Sequence, residues 1–187
     1  MFIQTEETPN PMTLKFIPGR SVMEKGTADF PTAEAAEKCL LAQKLFSVSG
    51  VCGVFLGADY ISITKKPSLD WIVLKPALLG VIMEYFLFHE TVIIEDSHSQ
   101  SSVNFNTQGE DQEIVNEIKD LLDTKIRPAV AMDGGDIVFE NYEDGIVYLR
   151  LQGACSGCPS STATLKSGIE NMLKHYIPEI LEVRAIQ

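Results

Sequence analysis

No cluster of basic side chains larger than the Lys65-Lys66 pair occurs anywhere in the chain, and 26 acidic against 15 basic residues leave a formal net charge of −11. A nucleic-acid surface needs a basic face that neutralises phosphates, so nucleic-acid binding is excluded as the main activity. The acidity is spread over both halves and reads as a solvated surface. Long hydrophobic runs are also missing. The strongest apolar stretch, around Leu78 to Phe88, is interrupted by Glu84 and is too short to span a bilayer, so no membrane role is expected. The opening residues Met1-Phe2-Ile3-Gln4-Thr5-Glu6-Glu7 have neither a basic region before an apolar run nor an Arg-rich, acid-poor character. The expectation is a cytoplasmic chain, or a mature form whose presequence has been removed. A nucleophile–base pair, a phosphate-binding glycine loop and a paired acidic motif are absent as well, which reads as a protein that is not an enzyme.

Cysteine is sparse, at four residues: Cys39, Cys52, Cys155 and Cys158. Without a secretory signal these do not form a disulfide framework. Cys39, on an amphipathic segment, and Cys52, before a strand, read as small core residues. Cys155 and Cys158 form a CxxC pair and need a separate explanation.

What the chain does contain divides it in two. The polar, Ser-rich stretch 96–109 carries only Val103 and Phe105 as large apolar side chains. It cannot bury enough surface to offset its ordering entropy, so it reads as a flexible linker between domains at 1–95 and 110–187. In the first, Thr13 to Ile17 is a strand, Thr32 is an N-cap for a helix running to about Phe46, and Val51–Leu56 and Tyr60–Thr64 form a hairpin. Pro76 fits the first turn of a second helix ending near Phe88, with Leu78, Leu79, Ile82, Met83 and Phe86 inward. In the second, Ile114, Ile118, Leu121, Leu122 and Ile126 recur at helical spacing, Pro128 kinks or restarts that helix, and Gly134-Gly135 ends it. Strands follow at Ile137–Asn141 and Ile146–Leu151, joined through Asp144-Gly145. After the cysteine loop a helix begins near Pro159, with Leu165, Ile169, Met172, Leu173 and Tyr176 on one face. Leu181, Val183 and Ala185 alternate along a last strand. The fold class is α+β, two small two-layer α/β-sandwich-type domains joined by a flexible linker.

The chemistry sits in Gly153-Ala154-Cys155-Ser156-Gly157-Cys158-Pro159, between a strand and a helix. Two intervening residues let both sulfurs turn toward one centre. Pro159 suits the first helical position, which puts Cys158 near the N-cap, where free amides and the helix dipole favour thiolate. At least one thiol of the motif is therefore expected to be more acidic than a free cysteine. Three readings stay open. Structural zinc takes four ligands, and this domain has no second CxxC and one distant histidine, His175. A thioredoxin-like dithiol needs a parallel βαβ unit before its helix, whereas a hairpin precedes these cysteines. An iron–sulfur cluster takes four thiolates, so two chains would have to meet across it.

At this motif the second domain resembles the C-terminal domain of NifU and the Nfu family of iron–sulfur scaffold and carrier proteins. The likeness includes Ile126-Arg127-Pro128, Asp133-Gly134-Gly135-Asp136 and the run from Leu149 through Leu165. The first domain is similar to the N-terminal domain of mitochondrial-type and related bacterial Nfu proteins, at Thr8-Pro9-Asn10-Pro11, Leu14 through Gly19, Asp70-Trp71 and Lys75-Pro76. The resemblance covers nearly the whole chain. It implies that Cys155 and Cys158 bind a [4Fe-4S] cluster shared between two chains, as a homodimer when loaded, supplied by upstream assembly proteins and given to apo-proteins. It also implies a bacterial cytoplasm or, alternatively, a mitochondrial matrix. Met132 stands where family members often carry Glu or Gln.

The remaining candidates have plainer readings. Asp133-Gly134-Gly135-Asp136 reads as a helix stop leading into a strand. Trp71 reads as a packing residue, and His89, His98 and His175 carry no ligand or base pattern.

Overall fold

The computed structural model describes residues 2–92, 110–156 and 159–186. The expected linker at 96–109 therefore lies outside the described residues, as do Gly157 and Cys158. The chain divides into two compact units, Met1–Ser99 and Gln100–Gln187, each with its own core and sheet. The α+β class holds for both.

In the first unit, β1 (Gln4–Glu7), β2 (Thr13–Ile17), β3 (Ala28–Phe30), β4 (Val51–Leu56) and β5 (Ile61–Lys65) form one sheet in the order β1-β2-β5-β4-β3. All its pairings are antiparallel. Alternation along the strands puts Leu14, Phe16, Val54, Leu56, Ile61 and Ile63 into one apolar core. The helices α1 (Leu40–Phe46) and α2 (Trp71–Phe88) contribute to that core. On the other face the Thr13 and Thr64 hydroxyls pair at 2.9 Å and Lys15 reaches Glu6 at 3.7 Å.

Both helices begin elsewhere than expected. Thr32 accepts from the Ala35 amide at 3.3 Å, but it caps only a series of turns. Amides of Ala36, Glu37 and Cys39 bond carbonyls three residues back, and the first i→i−4 bond runs from Gln43 to Cys39. The helix thus starts at Leu40. The second starts at Trp71, a turn and more before Pro76, which sits inside it. The amide that Pro76 lacks would have bonded the Ile72 carbonyl near the helix start, where the loss of one bond is tolerated. Leu74, Leu78, Ile82, Tyr85 and Phe86 are buried on α2, whereas Met83 is exposed and Leu79 only partly buried. α2 is also, among the described residues, long and apolar enough to cross a membrane by length and composition, at mean hydropathy 1.7. Its inner stripe is committed to the core of this unit.

In the second unit, β6 (Gly135–Glu143) and β7 (Ile146–Gly153) form an antiparallel hairpin, and β8 (Glu182–Ile186) joins β7 in parallel. Asp144 and Gly145 turn the hairpin at φ 50° and 78°, the left-handed pair that a two-residue Asp-Gly turn requires. α3 (Glu110–Leu121) runs into one π-helical stretch, Leu122–Ile126, before α4 (Arg127–Met132). There the Arg127 amide bonds the Leu122 carbonyl, five residues back. Pro128, at the start of α4, has no amide to continue the regular ladder, so the kink takes this form. α5 (Pro159–Tyr176) buries Ile169 and Leu173, with Leu165 partly buried, but exposes Met172 and Tyr176. Leu181 is exposed before β8 begins and packs over Gly145, and of the three alternating residues only Val183 is buried.

The placement of α2 generates a direct contrast. Ile82→Ala should destabilise by about 2–5 kcal/mol through cavity formation, and Met83→Ala should stay within roughly 0.5 kcal/mol, as surface changes do. Denaturant unfolding of both variants measures this, and equal losses would place Met83 inward after all.

Candidate functional site

The end of β7 and the start of β6 meet at the cysteine loop. Gly134, at φ 81°, turns the chain out of α4, its amide bonding Ala131 at 3.0 Å. This is the helix stop leading into a strand that the Asp-Gly-Gly-Asp sequence suggests. Gly135 then pairs with Gly153 across the ladder, and the Ala154 amide donates to the Gly134 carbonyl at 3.1 Å. The loop is tied further. Ser156 donates from amide and hydroxyl to the Gly153 carbonyl at 3.1 and 2.8 Å, and the Thr162 hydroxyl on α5 donates to the Cys155 carbonyl at 3.1 Å.

Gly135 does more than start a strand. A Cβ there would lie 2.6 Å from Cys155 Sγ and 2.6 Å from the Gln152 carbonyl oxygen. The backbone oxygen cannot swing aside as a side chain could, so the sulfur occupies space that only glycine leaves. Sequence reasoning assigned the glycine pair to the turn and missed this contact. The second of two adjacent glycines, one more than a helix stop requires, was the available signal.

Asp136 is nearly fully buried and receives Arg127 in a two-pronged pair, Nε to Oδ1 and Nη2 to Oδ2, both 2.8 Å. The Ile137 amide donates to the same carboxylate at 2.8 Å, and Arg127 Nη1 reaches Asp123 at 3.0 Å. Asp136, ahead of Asp123, holds the Arg127 guanidinium protonated above its already high ordinary value. The pair fastens α4 to the start of β6 directly behind the cysteine loop. Its two members were quoted from separate motifs in the sequence, and nothing in their spacing announced the contact.

Cys155 is buried and belongs to the core of this unit. Burial first, then the charges of Asp133 and Asp136, push its thiol up from an ordinary 9.0 to about 12. The helix-end argument therefore does not lower the pKa at Cys155, because desolvation and two carboxylates outweigh a dipole that falls off within one turn. Cys158, the residue nearest that helix end, lies outside the described residues. The structure thus positions Cys155 and leaves its meeting with Cys158 undescribed. A deprotonated Cys155 is a soft ligand of the kind that suits zinc or iron–sulfur chemistry. Among the described residues no three His, Cys, Asp or Glu side chains gather into a metal-binding group.

The other cysteines separate. Cys39 is a core residue, but Cys52 is exposed, contrary to expectation. The register of β4 against β5 shifts between Val51 and Gly53, and this irregularity turns Cys52 outward. Trp71 packs against the first core and donates to the Pro11 carbonyl at 3.2 Å. His89 stacks on Tyr85 at 4.3 Å and His175 meets Tyr176 edge-on, while His98 lies outside the described residues.

Two measurements follow from this geometry. A raised thiol pKa stabilises the fold fully below pH about 9, and that contribution fades as pH climbs toward about 12. Alkylation of Cys155 in the metal-free protein should accordingly be slow near neutrality and rise only in alkali. A rate that follows an ordinary cysteine titration would contradict it. Gly135→Ala should cost about 1–3 kcal/mol by overpacking and speed Cys155 alkylation as the sulfur is displaced. Unchanged stability and reactivity would remove the role given to Gly135.

Two family models match the chain: "Scaffold protein Nfu/NifU N terminal" over residues 3–89 and "NifU-like domain" over residues 118–184. The human protein named "NFU1 iron-sulfur cluster scaffold homolog, mitochondrial" is 50% identical over 187 residues, covering 100% of this chain and 72% of its own length. The Drosophila sechellia protein of the same name is 49% identical, covering 100% of this chain and 65% of its own. A solution structure of a NifU-like protein from Saccharomyces cerevisiae overlaps 51% of this chain and 87% of its own, at TM-score 0.47 and 23% identity. With one domain of each kind in this order, and half its residues shared with the human relative along its whole length, the chain belongs to the Nfu family.

Proposed function

We propose that this chain is an iron–sulfur cluster scaffold and carrier in which Cys155 and Cys158 hold a [4Fe-4S] cluster jointly with the same pair from a second chain. The observation that carries the reading is the Cys155–Cys158 pair in a chain of the Nfu family, which offers two thiolates where such a cluster is ordinarily held by four. Two chains with two cysteines each complete the set. The names of the human and fly relatives, which call those proteins cluster scaffolds, support the cargo. The cluster is cargo received from assembly proteins and delivered to apo-proteins, so the chain is a carrier and not an enzyme.

Loading asks two things of Cys155. The thiol must lose its proton, and its sulfur must leave a buried position. Both costs are recovered when the cluster departs and the thiol is reprotonated in its pocket. A ligand that is stable without its cargo suits a protein that gives the cargo away. The same burial counts against the dithiol alternative at this residue, since a neutral buried thiol is a poor attacking group. The relatives are named mitochondrial, which supports the matrix alternative and gives no support to a bacterial cytoplasm.

The reading fixes a stoichiometry of one cluster per two chains. Iron and sulfide content with the mass of the loaded protein should show a dimer, and a monomer holding a complete cluster would overturn it. Replacing either Cys155 or Cys158 by Ala should abolish stable loading, whereas Cys39→Ala and Cys52→Ala should preserve it. The domain division at 95 and 110 adds a further expectation. A fragment from residue 110 should load about as well as the full chain but deliver more slowly to authentic recipients at low concentration, because a tethered first domain raises local concentration. The family resemblance suggests that the first domain docks recipients; transfer rates at matched loading decide this, and equal rates would remove that role.

A further inference from the structure

Among the described residues, three charged side chains are buried: Lys15, Lys65 and Asp136. Burying a charge is costly unless an opposite charge compensates it. Asp136 has Arg127, and Lys15 has Glu6 at 3.7 Å. Among the same residues, no carboxylate pairs with Lys65. Lys65 is 6% exposed, and its ammonium lies 3.8 Å from Met12 Sδ and 5.8 Å from the Trp71 ring centroid. A thioether is a weak acceptor and an aromatic face carries no net charge, so a group with three donors is left short of an anion. Asp70, the neighbour of Trp71 in the chain, is exposed and forms no ion pair with it.

The surroundings add positive potential. Trp71 opens α2, whose first turn holds no acidic residue and whose N-cap, Asp70, makes no side-chain capping bond. The first amides of a helix and the positive end of its dipole favour an anion there. Lys66 follows Lys65, and both lie within electrostatic reach of Cys52, whose thiol partial burial raises while Lys66 and Lys65 pull it down. A neutral thiol compensates neither. The walls are fastened by the fold, since Trp71 Nε1 donates to the Pro11 carbonyl at 3.2 Å and the Lys65 amide to the Met12 carbonyl at 2.8 Å. The rim is open: Pro11 and Lys66 are exposed, and Met12 and Trp71 are half-buried. One buried cation calls for one negative charge. A carboxylate on an apolar body supplies it, with the body lying against sulfur and indole. Phosphate carries more charge and is better served by a guanidinium fork.

We propose that Lys65, Met12 and Trp71 form a binding site for a carboxylate at the start of α2. Its ligand is a free small carboxylate or the acidic side chain of a peptide, and the same ammonium receives either. The site lies in the first unit and does not depend on the cluster reading.

Trp71 is the single tryptophan of the chain, so its fluorescence reports on the site directly. The metal-free full chain is titrated with propionate, and separately with a short peptide, blocked at both ends, that carries one glutamate. Chloride holds the ionic strength constant. Propionate should change the emission saturably, with a midpoint on the order of millimolar. A glutamate peptide that binds at least tenfold more tightly assigns the site to a protein partner, whereas propionate binding as well or better assigns it to a small molecule. The glutamine counterpart of the peptide should not bind. Lys65→Met keeps the length of the side chain and removes its charge, so it should weaken both probes at least tenfold. The variant should unfold at no lower denaturant concentration than the wild type, because an uncompensated buried charge is replaced by an apolar group of similar shape. No saturable response to either probe overturns the proposal, as does an unchanged response in Lys65→Met or an equal response to phosphate. So does a Lys65→Met chain that unfolds markedly earlier, which would show the ammonium to be satisfied within the fold. Cluster loading through Cys155 and Cys158 should be the same in this variant, so either reading can fail alone.

Discussion

A sulfur and a backbone share a space too small for a methyl group at the start of β6, where a Cβ on Gly135 would lie 2.6 Å from Cys155 Sγ. Three parts of the second unit converge on that point. α4 must stop in time, which Gly134 accomplishes with a left-handed turn. β6 and β7 must pair in the register that sets Gly135 opposite Gly153. The loop must then fold back over the strand ends, held by Ala154 on the Gly134 carbonyl and by Thr162 from α5. A one-residue slip in the ladder would place side chains where the sulfur sits, because the faces of a strand alternate with period two.

Electrostatics at this point oppose the thiolate form of Cys155. Asp133 and Asp136 lie near a thiol that is already desolvated, and both disfavour its negative charge. Asp136 is not spare charge, however. Its carboxylate is occupied by Arg127 and the Ile137 amide, which makes it the pin between α4 and the sheet. Removing Arg127 would leave a buried carboxylate uncompensated, the costly way to break such a pair. The charge that holds the scaffold therefore also holds Cys155 neutral. On the carrier reading this is consistent, since a site that prefers its protonated form lets its ligand go.

Much of this was legible beforehand. The β6–β7 hairpin was announced by Asp144-Gly145, the helix stop by Gly134-Gly135, and α3 by an apolar period that no strand could share. What escaped had physical reasons. β1 reads Gln4-Thr5-Glu6-Glu7, without apolar alternation, because it is an edge strand whose pairing with β2 supplies its only order. β3 is three residues long and could not be told from loop. Thr32 gave a genuine capping signal that led only into turns, since capping cannot select between three- and four-residue hydrogen bonding. Cys52 looked like core until a register shift, invisible in sequence, turned it outward. At the site, the spacing of Cys155 and Cys158 left zinc, dithiol and cluster readings open, and the ligand role came from the family resemblance; the expected acidic thiol is not Cys155, whose burial raises its pKa.

The two helices of the first unit differ in how much of their apolar surface the core uses. α1 has seven residues and no side-chain cap, and it survives by burying Leu41, Ala42 and Leu45. α2 has eighteen residues and far more apolar surface than its core stripe uses. An amphipathic helix of that length would have needed a polar outer face for solubility. Keeping Ile72, Val73, Leu87 and Phe88 outward carries a standing risk of nonspecific association. Gly80 is the telling residue. Within a helix glycine is unfavourable relative to alanine, and among the described residues no neighbour crowds its Cβ position. The packing among the described residues gives no reason for glycine there.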